Sequence, residues 1–324
     1  MKAQQWCAWL FTAAAVAATQ LAGAADTYPR KPVRLIVGFP PGGATDLVAR
    51  ILQPKLLASL GQQVVVDNRP GANGTISLAL LAQAQPDGYT IALGHLGGLV
   101  ISPAIQKVQY DPSRDFTPIG LMVTLQNILI TNPSVPVSTL KDFLALAKSK
   151  KGELNYASSG VGSPGHLAGV LLETMTGTPM THIPYKGGGP AITDLLAGNV
   201  PAFFAVISTA VPHVLAKRAK AIAVTGDKRA EALPDVPTIA QAGVPGYSAT
   251  NWYGLVAPAG TSSAIVAKLS KDVMAALGTA EVVKQLKDRG IDATPASPAA
   301  FAKFVADERK KWLPIIKRSH IGAR

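Results

Sequence analysis

Short runs of aliphatic and β-branched residues alternate along this chain with longer segments of helical, amphipathic pattern. The apolar runs predict strands at 33–37, 64–67, 90–93, 127–131, 154–157, 181–183, 221–225 and 253–257. The longer segments predict helices at 76–84, 140–148, 190–197, 263–277, 280–289 and 299–320. Most of the strand runs are continuously apolar, as in parallel strands covered on both faces. The alternation is typical of an α/β fold.

A Pro-Pro-Gly-Gly turn follows the first predicted strand, within the segment FPPGGATD at residues 39–46. Glycine lets the backbone approach a ligand closely, and the helix that follows directs unpaired N–H groups and its positive end toward this loop. A second strand–turn–helix segment with a Ser/Gly turn lies at 154–172. Two such helix starts facing each other across a cleft predict a binding site for a small carboxylate.

Asp46 lies in the first turn of the helix after the first loop. In one interpretation Asp46 belongs to the binding site, where its carboxylate caps the helix or orients a bridging water while the N–H groups face the ligand. In the other it stabilises only the start of the helix. Pro54 lies further along the same apolar, periodic segment, and we expect it to kink or interrupt the helix because it lacks an N–H donor.

The N-terminus has the pattern of a secretory signal peptide. Lys2 precedes an apolar stretch at 6–18 and the small residues at 22–25, which predicts cleavage after Ala24 or Ala25. A retained membrane anchor is disfavoured, because the apolar core is shorter than the roughly 20 residues a span needs. Cys7 is the sole cysteine and lies in residues 1–25, so the mature chain has neither disulfides nor cysteine-based zinc sites.

The formal net charge is +12, but the basic residues are scattered, with short clusters only at 148–151 and 309–311. A nucleic-acid surface is denser and includes aromatic residues, so we expect no nucleic-acid partner. The surplus of positive charge predicts a solvated basic surface with long-range attraction for anions.

Enzymatic interpretations are weak. Residues 160–165 read GVGSPG and satisfy the G-x-G-x-x-G spacing, but no acidic residue ends the next predicted strand to bind a ribose. Ser163 and His166 share one helix start, and Val161 stands where a hydrolase nucleophile turn needs glycine. The five histidines are isolated in the sequence. We therefore expect no catalysis, no cofactor and no metal.

Two long extended stretches, at 121–131 and 246–258, indicate that the chain changes domain twice. We predict one lobe formed by 26–126 and 252–324 and a second lobe formed by 127–251. Such double crossovers suit hinge closure around a ligand.

Seven motifs spread over the chain carry a resemblance to a known family. They are YPRKP at 28–32, FPPGGATD at 39–46, VVVDNRPGANGT at 64–75, PDGYT at 86–90, HIPYKGGGPAITDLLAG at 182–198, LPDVPTIAQAG at 233–243 and WYGLVAPAGT at 252–261. In their order and spacing the chain resembles the substrate-binding receptors of the tripartite tricarboxylate transporter family, also called Bug (Bordetella uptake gene) receptors.

This resemblance implies a monomeric periplasmic binding protein of two α/β lobes, the type II fold, with a ligand cleft between the lobes and two chain crossovers. Such a receptor closes on a small carboxylate and delivers it to a membrane permease of the tripartite tricarboxylate type. It carries out no reaction. A periplasmic sensor that binds the same ligand and signals to a membrane kinase needs the same cleft, and the sequence leaves this alternative open.

The resemblance also implies the ligand contacts. Those of the first lobe are Phe39, Gly42, Gly43, Thr45, Asp46, Gly74 and Thr75. Those of the second lobe are Ser158, Ser159, Gly162, Ser163, His166, Lys186 and Gly187.

The chain departs from the family pattern at two places. His95 stands where serine and threonine are common after the third strand, and it is either a ligand contact or a loop residue. Pro201 stands where an acidic residue is frequent. In the neighbouring wall at 203–209 the only hydroxyls are those of Ser208, which we include as a ligand contact, and Thr209. A less polar pocket favours a monocarboxylate or an aromatic acid over a tricarboxylate. Trp252 and Tyr253 are predicted to line the hinge core rather than to stack on the ligand.

Overall fold

The computed structural model describes residues 28–318 and residue 321, so the predicted signal peptide lies outside the described residues. The strands are β1 Val33–Val37, β2 Val64–Asn68, β3 Thr90–His95, β4 Phe116–Thr131, β5 Asn155–Ser158, β6 Thr181–Pro184, β7 Ala202–Val206, β8 Lys220–Val224, β9 Thr250–Pro258 and β10 Ile291–Ala296. The α-helices are α1 Ala44–Leu60, α2 Thr75–Ala82, α3 Ser102–Ile105, α4 Leu140–Ser149, α5 Pro164–Thr176, α6 Gly188–Ala197, α7 Ile207–Leu215, α8 Ser263–Leu277, α9 Ala280–Lys287 and α10 Pro298–Arg318.

The strands form two groups that share β4. In the first group the order is β2-β1-β3-β9-β4, with β10 also paired to β4. In the second group the order is β4-β7-β5-β6, with β8 also paired to β4. The partners of β4 change between Gln126, which pairs with Thr250 of β9, and Asn127, which pairs with Val206 of β7. The chain thus adopts the predicted two-lobed α/β fold.

Only part of each group is parallel. β1 runs parallel to β2 and β3, and β5 runs parallel to β6 and β7. β4 and β9 run antiparallel to each other and to their other partners. The continuously apolar strands therefore indicate burial on both faces and not parallel pairing as such. β1 illustrates this, since Leu35 packs with Val48 of α1 while Ile36 packs with Leu78 of α2 on the other face.

Each predicted strand is present, within a few residues at its ends, except that β4 begins at Phe116 and not at the predicted residue 127. Four of the elements given above, α3, β7, α7 and β10, were not predicted. The predicted interruption at Pro54 is wrong, because α1 runs on through Pro54 to Leu60. A single missing N–H donor is tolerated there, since the helix is packed along one face by buried side chains such as Leu52 and Leu56.

Asp46 fixes the loop that precedes α1. Its carboxylate accepts hydrogen bonds from the Gly42 N–H at 3.0 Å, the Arg50 Nε at 2.8 Å and the Asn68 Nδ2 at 3.0 Å. Gly42 has a φ of 80°, a backbone conformation that residues with a side chain rarely adopt. Burial opposes ionisation of Asp46, but these three donors outweigh it and hold the pKa of its carboxyl below the usual range.

A buried carboxylate links the C-terminal helix α10 to strand β9. Glu308 of α10 is 7% exposed and accepts hydrogen bonds from the indole nitrogens of Trp252 and Trp312, both at 3.1 Å. The Trp252 ring packs edge-on against Phe301 and Phe304 of the same helix. Helix α10 therefore covers one face of β9.

We expect Glu308→Ala to lower the free energy of unfolding by about 3 kcal/mol, because two buried indole N–H groups lose their acceptor. Urea denaturation followed by tryptophan fluorescence measures this loss. The matched control is Asp307→Ala, which removes the neighbouring, exposed carboxylate and should leave the denaturation midpoint near that of the wild type. Equal losses in the two variants would contradict this role of Glu308.

We expect Asp46→Asn to cost about 2 kcal/mol of unfolding free energy at pH 7, because a charged acceptor of three donors is replaced by a neutral one. The folded pKa of Asp46 is depressed, so its contribution is complete above about pH 4 and is lost as the pH falls through the folded pKa. Urea titrations at pH 7, 5 and 3 should show the gap between variant and wild type closing at the lowest pH. A gap that persists unchanged at pH 3 would refute this, with the exposed Asp288→Asn as control.

Candidate ligand-binding cleft

A cavity of ≈ 360 Å³ lies where the two strand groups face each other. From the first group it is lined by Phe39, Pro40, Pro41, Gly42, Gly43, Ala44, Thr45, His95, Asn251 and Tyr253. From the second group it is lined by Ser159, Pro164, Gly187, Gly188, Gly189, Pro190, Phe203, Val206 and Thr209. We call this the ligand cavity.

Four helices begin at the ligand cavity. Gly43 precedes α1, Gly187 precedes α6 and Val206 precedes α7, and all three residues line the cavity. Pro164, the first residue of α5, lines it as well. The first N–H groups of a helix have no partner within that helix, and the helix start carries a partial positive charge. The cavity can therefore bind an anion through backbone donors.

The start of α5 offers fewer donors than the others. The Ser163 Oγ accepts the His166 N–H at 3.2 Å, and the Gly162 N–H is donated to His166 Nδ1 at 3.1 Å. Pro164 has no N–H. Helix α5 thus contributes mainly an apolar wall to the cavity.

His95 ends β3 and is 1% exposed. Its Nδ1 accepts the Gly98 N–H at 3.3 Å, which places the ring proton on Nε2, and Nε2 has no partner among the described residues. A Cβ atom at Gly74 would overlap the ring, so glycine is required there. Burial lowers the pKa of His95 to about 4, and the imidazole is neutral at pH 7.

Aromatic side chains from the first strand group form one part of the cavity wall. The rings of Phe39 and His95 meet edge to face with centroids 5.0 Å apart. His95 of β3 pairs directly with Tyr253 of β9, so the two side chains lie next to each other on one face of the sheet. Burial raises the pKa of Tyr253, which remains protonated at pH 7. Tyr253, predicted to belong to the hinge core, both is buried and lines the cavity.

No side chain that lines the ligand cavity, among the residues described, carries a formal charge at pH 7. Charged side chains lie in two neighbouring cavities. One, of ≈ 740 Å³, includes Lys186 and shares Phe39 and Gly187 with the ligand cavity, and we call it the Lys186 cavity. The other, of ≈ 560 Å³, includes Arg50 and Arg289, and we call it the Arg50 cavity.

The structure distributes the predicted contacts over these spaces. The ligand cavity contains Phe39, Gly42, Gly43, Thr45, His95, Ser159 and Gly187. Gly74 and Lys186 line the Lys186 cavity, and Asp46 and Ser208 line the Arg50 cavity. Thr75, Ser158, Gly162, Ser163 and His166 line none of the three.

A buried histidine, His166, and a partly buried one, His182, lie behind the Ser/Gly turn that precedes α5. The rings of His166 and His182 stack with centroids 3.8 Å apart and an interplanar angle of 12°. Ser158 Oγ lies 2.7 Å from His182 Nε2. Burial lowers the pKa of His166 to about 4 and, with the neighbouring His166, that of His182 to about 3. These neutral side chains support the loop.

Sequence reasoning did not name Asn251, Phe203, Val206 or Thr209 as contacts, although it placed residues 203–209 in the pocket wall. The last three lie on β7 and α7, two elements that were not predicted. Asn251 and Tyr253 occupy positions i and i+2 of β9 and therefore share a face, a spacing that links them once either is assigned.

Within residues 28–318, no helix combines the length and the apolar character needed to cross a membrane. Nor do three His, Cys, Asp or Glu side chains of this described part gather into a group that could bind a metal ion.

A family model described as "Tripartite tricarboxylate transporter family receptor" matches residues 48–321. Among curated proteins, BugT of Bordetella pertussis is 36% identical over 300 residues, which covers 91% of this chain and 91% of BugT. Among solved structures, R. palustris Rpa4515 with adipate has a TM-score of 0.88 and 36% identity, covering 91% of this chain and 99% of that one.

MatC from Rhodopseudomonas palustris with bound malate has a TM-score of 0.84 and 34% identity, covering 89% of this chain and 100% of that one. Matches of this length and identity show the family and the fold together. This chain belongs to the tripartite tricarboxylate transporter receptor family, whose members are periplasmic solute-binding receptors and not enzymes.

Proposed function

We propose that this chain is a periplasmic receptor that captures a small carboxylate between its two lobes and delivers it to a membrane permease of the tripartite tricarboxylate type. The observation that carries the proposal is the meeting of helix starts from both strand groups at one cavity, α1 from the first and α6 and α7 from the second. In this proposal one lobe consists of 26–126 and 252–324 and the other of 127–251. The change of β4 partners after Gln126 supports that division.

Backbone donors are sufficient for useful affinity. A hydrogen bond to a charged group contributes about 1.5–3 kcal/mol, and a micromolar dissociation constant corresponds to about −8 kcal/mol. Several N–H groups of α1, α6 and α7, together with the hydroxyls of Thr45, Ser159 and Thr209, supply enough donors to outweigh the desolvation of one carboxylate.

The similar structures support the same ligand class, since one contains adipate and another contains malate. The family description supports the role in transport, because it names a receptor of a tripartite transporter. Residues 1–25 have the pattern of a cleaved signal peptide, which supports export to the periplasm.

A thermal-shift screen of residues 26–324 against benzoate, adipate, malate and citrate tests ligand binding. Binding at a hundredfold excess over Kd adds about 2.7 kcal/mol to stability, so at least one acid should clearly raise Tm. We expect Thr45→Val and Ser159→Ala each to weaken binding of that acid by roughly fivefold, because each removes one hydroxyl at the cavity. Isothermal titration calorimetry gives the values.

The control for this screen is Ser149→Ala, which removes an exposed hydroxyl at the end of α4, outside the cavity lining. It should leave affinity unchanged. If no carboxylate raises Tm, or if Ser149→Ala weakens binding as much as Ser159→Ala does, the proposed site is refuted.

Uptake by cells tests export and delivery together. Cells that lack this chain, with the permease expressed from an independent promoter, should lose uptake of the bound acid. The full chain should restore uptake and residues 26–324 alone should not, because without residues 1–25 the protein is not exported. The periplasmic protein should begin at Ala25 or Asp26 on N-terminal sequencing. Normal uptake without the chain would instead support a sensor.

A further inference from the structure

The ligand cavity and its neighbours differ in charge. The ligand cavity has no charged side chain in its described lining, whereas Lys186 lies in one adjoining cavity and Arg50 and Arg289 lie in the other. A carboxylate inside the ligand cavity is therefore balanced by uncharged donors alone. The number of carboxylates that the cavity accepts depends on how these donors are arranged.

The available donors lie close to one another. A Cβ atom at Gly188, in the first turn of α6, would lie 3.5 Å from Thr209 Oγ1, in the first turn of α7. Ala44, the first residue of α1, and Thr209 both line the boundary between the ligand cavity and the Arg50 cavity. The starts of α1, α6 and α7 thus surround one region. Helix α5 adds little to it, because Ser163 and Gly162 are engaged with His166.

Away from these donors the wall is apolar and largely aromatic. Phe39, His95 and Tyr253 form a continuous surface from the first strand group, through the edge-to-face contact and the direct cross-strand pair. Phe203 of β7 and Val206 line the cavity from the second group. His95 adds no positive charge, since burial keeps it neutral. The volume of ≈ 360 Å³ lies at the small end of the range for ligand pockets.

We propose, on the basis of the function proposed above, that the ligand cavity selects a monocarboxylate with a flat apolar ring, of the benzoate class, over an aliphatic dicarboxylate. The single carboxylate lies at the starts of α1, α6 and α7, and the ring lies against Phe39, Phe203 and Tyr253. Aromatic rings bind one another favourably in stacked or edge-on arrangements beyond the effect of buried area.

A second carboxylate at the aromatic wall meets no charged side chain among the described residues that line the cavity. Removing a charged carboxylate from water without a paired charge is costly. The side-chain cations nearby lie in the adjoining cavities, namely Lys186, Arg289 and Arg50, and Arg50 is already paired with Asp46. The relatives that contain adipate and malate thus provide the natural comparison ligands.

Isothermal titration calorimetry of residues 26–324 with benzoate, cyclohexanecarboxylate, adipate and malate tests this selectivity. We expect benzoate to bind roughly tenfold or more tightly than either dicarboxylate, and more tightly than cyclohexanecarboxylate. Adipate or malate binding as tightly as benzoate overturns the selectivity but leaves the carboxylate receptor intact. Failure of all four acids, and of citrate, overturns the proposed function itself.

Two neighbouring phenylalanines provide a matched pair of variants. Phe203 and Phe204 are each 1% exposed on β7, but Phe203 lines the ligand cavity whereas Phe204 packs edge-on against Tyr156. We expect Phe203→Leu to weaken benzoate binding about fivefold and Phe204→Leu to leave it unchanged. Equal effects of the two variants overturn the ring contact, and the ligand ranking of the wild type remains decisive if either variant fails to fold.

Lys186→Ala completes the test. Lys186 lies in the adjoining cavity, which shares Phe39 and Gly187 with the ligand cavity. Tight dicarboxylate binding that is lost in Lys186→Ala would show instead that the ligand spans both cavities, and would overturn the proposal.

Discussion

The backbone pairing of β4 is the constraint on which the rest of the structure depends. This strand is bonded to β9 and β10 along its first part and to β7 and β8 along its last five residues. Both strand groups are therefore built on one continuous strand. The starts of α1, α6 and α7 face a common space because the strand groups that hold them share β4.

This arrangement explains how a site without charged side chains can suit an anion. Asp46, the acidic residue nearest the first loop, has its carboxylate occupied by Gly42, Arg50 and Asn68. It orders the loop and leaves the first N–H groups of α1, at Ala44 and Thr45, available to the cavity. The negative charge of Asp46, close to the proposed ligand, is thus compensated by these three donors. The same contacts hold the pKa of the Asp46 carboxyl low.

Much of the fold could be predicted because buried strands are continuously apolar and helices carry a periodic pattern. The glycine-rich loop at 39–46 was identified because its conformation requires glycine, as at Gly42. The roles of Ser163 and His166 were harder to predict from the sequence, because a serine at a helix start can either bind a ligand or cap its own helix. Here Ser163 caps α5 by accepting the His166 N–H. Phe203 and Thr209 were placed in the pocket wall but not named as contacts, because β7 and α7 follow each other without a turn signal and were not predicted.

The donors at the ligand cavity belong mostly to the main chain, at Ala44, Gly188 and Gly189 among others. A substitution other than proline changes a side chain and leaves the N–H group in place. The wall at Phe39, Phe203 and Tyr253 has no such protection, because its chemistry is entirely that of its side chains. Point mutations therefore act unequally on this cleft: the capacity to bind an acid group persists through sequence divergence, while the shape that is recognised beside it can change one residue at a time.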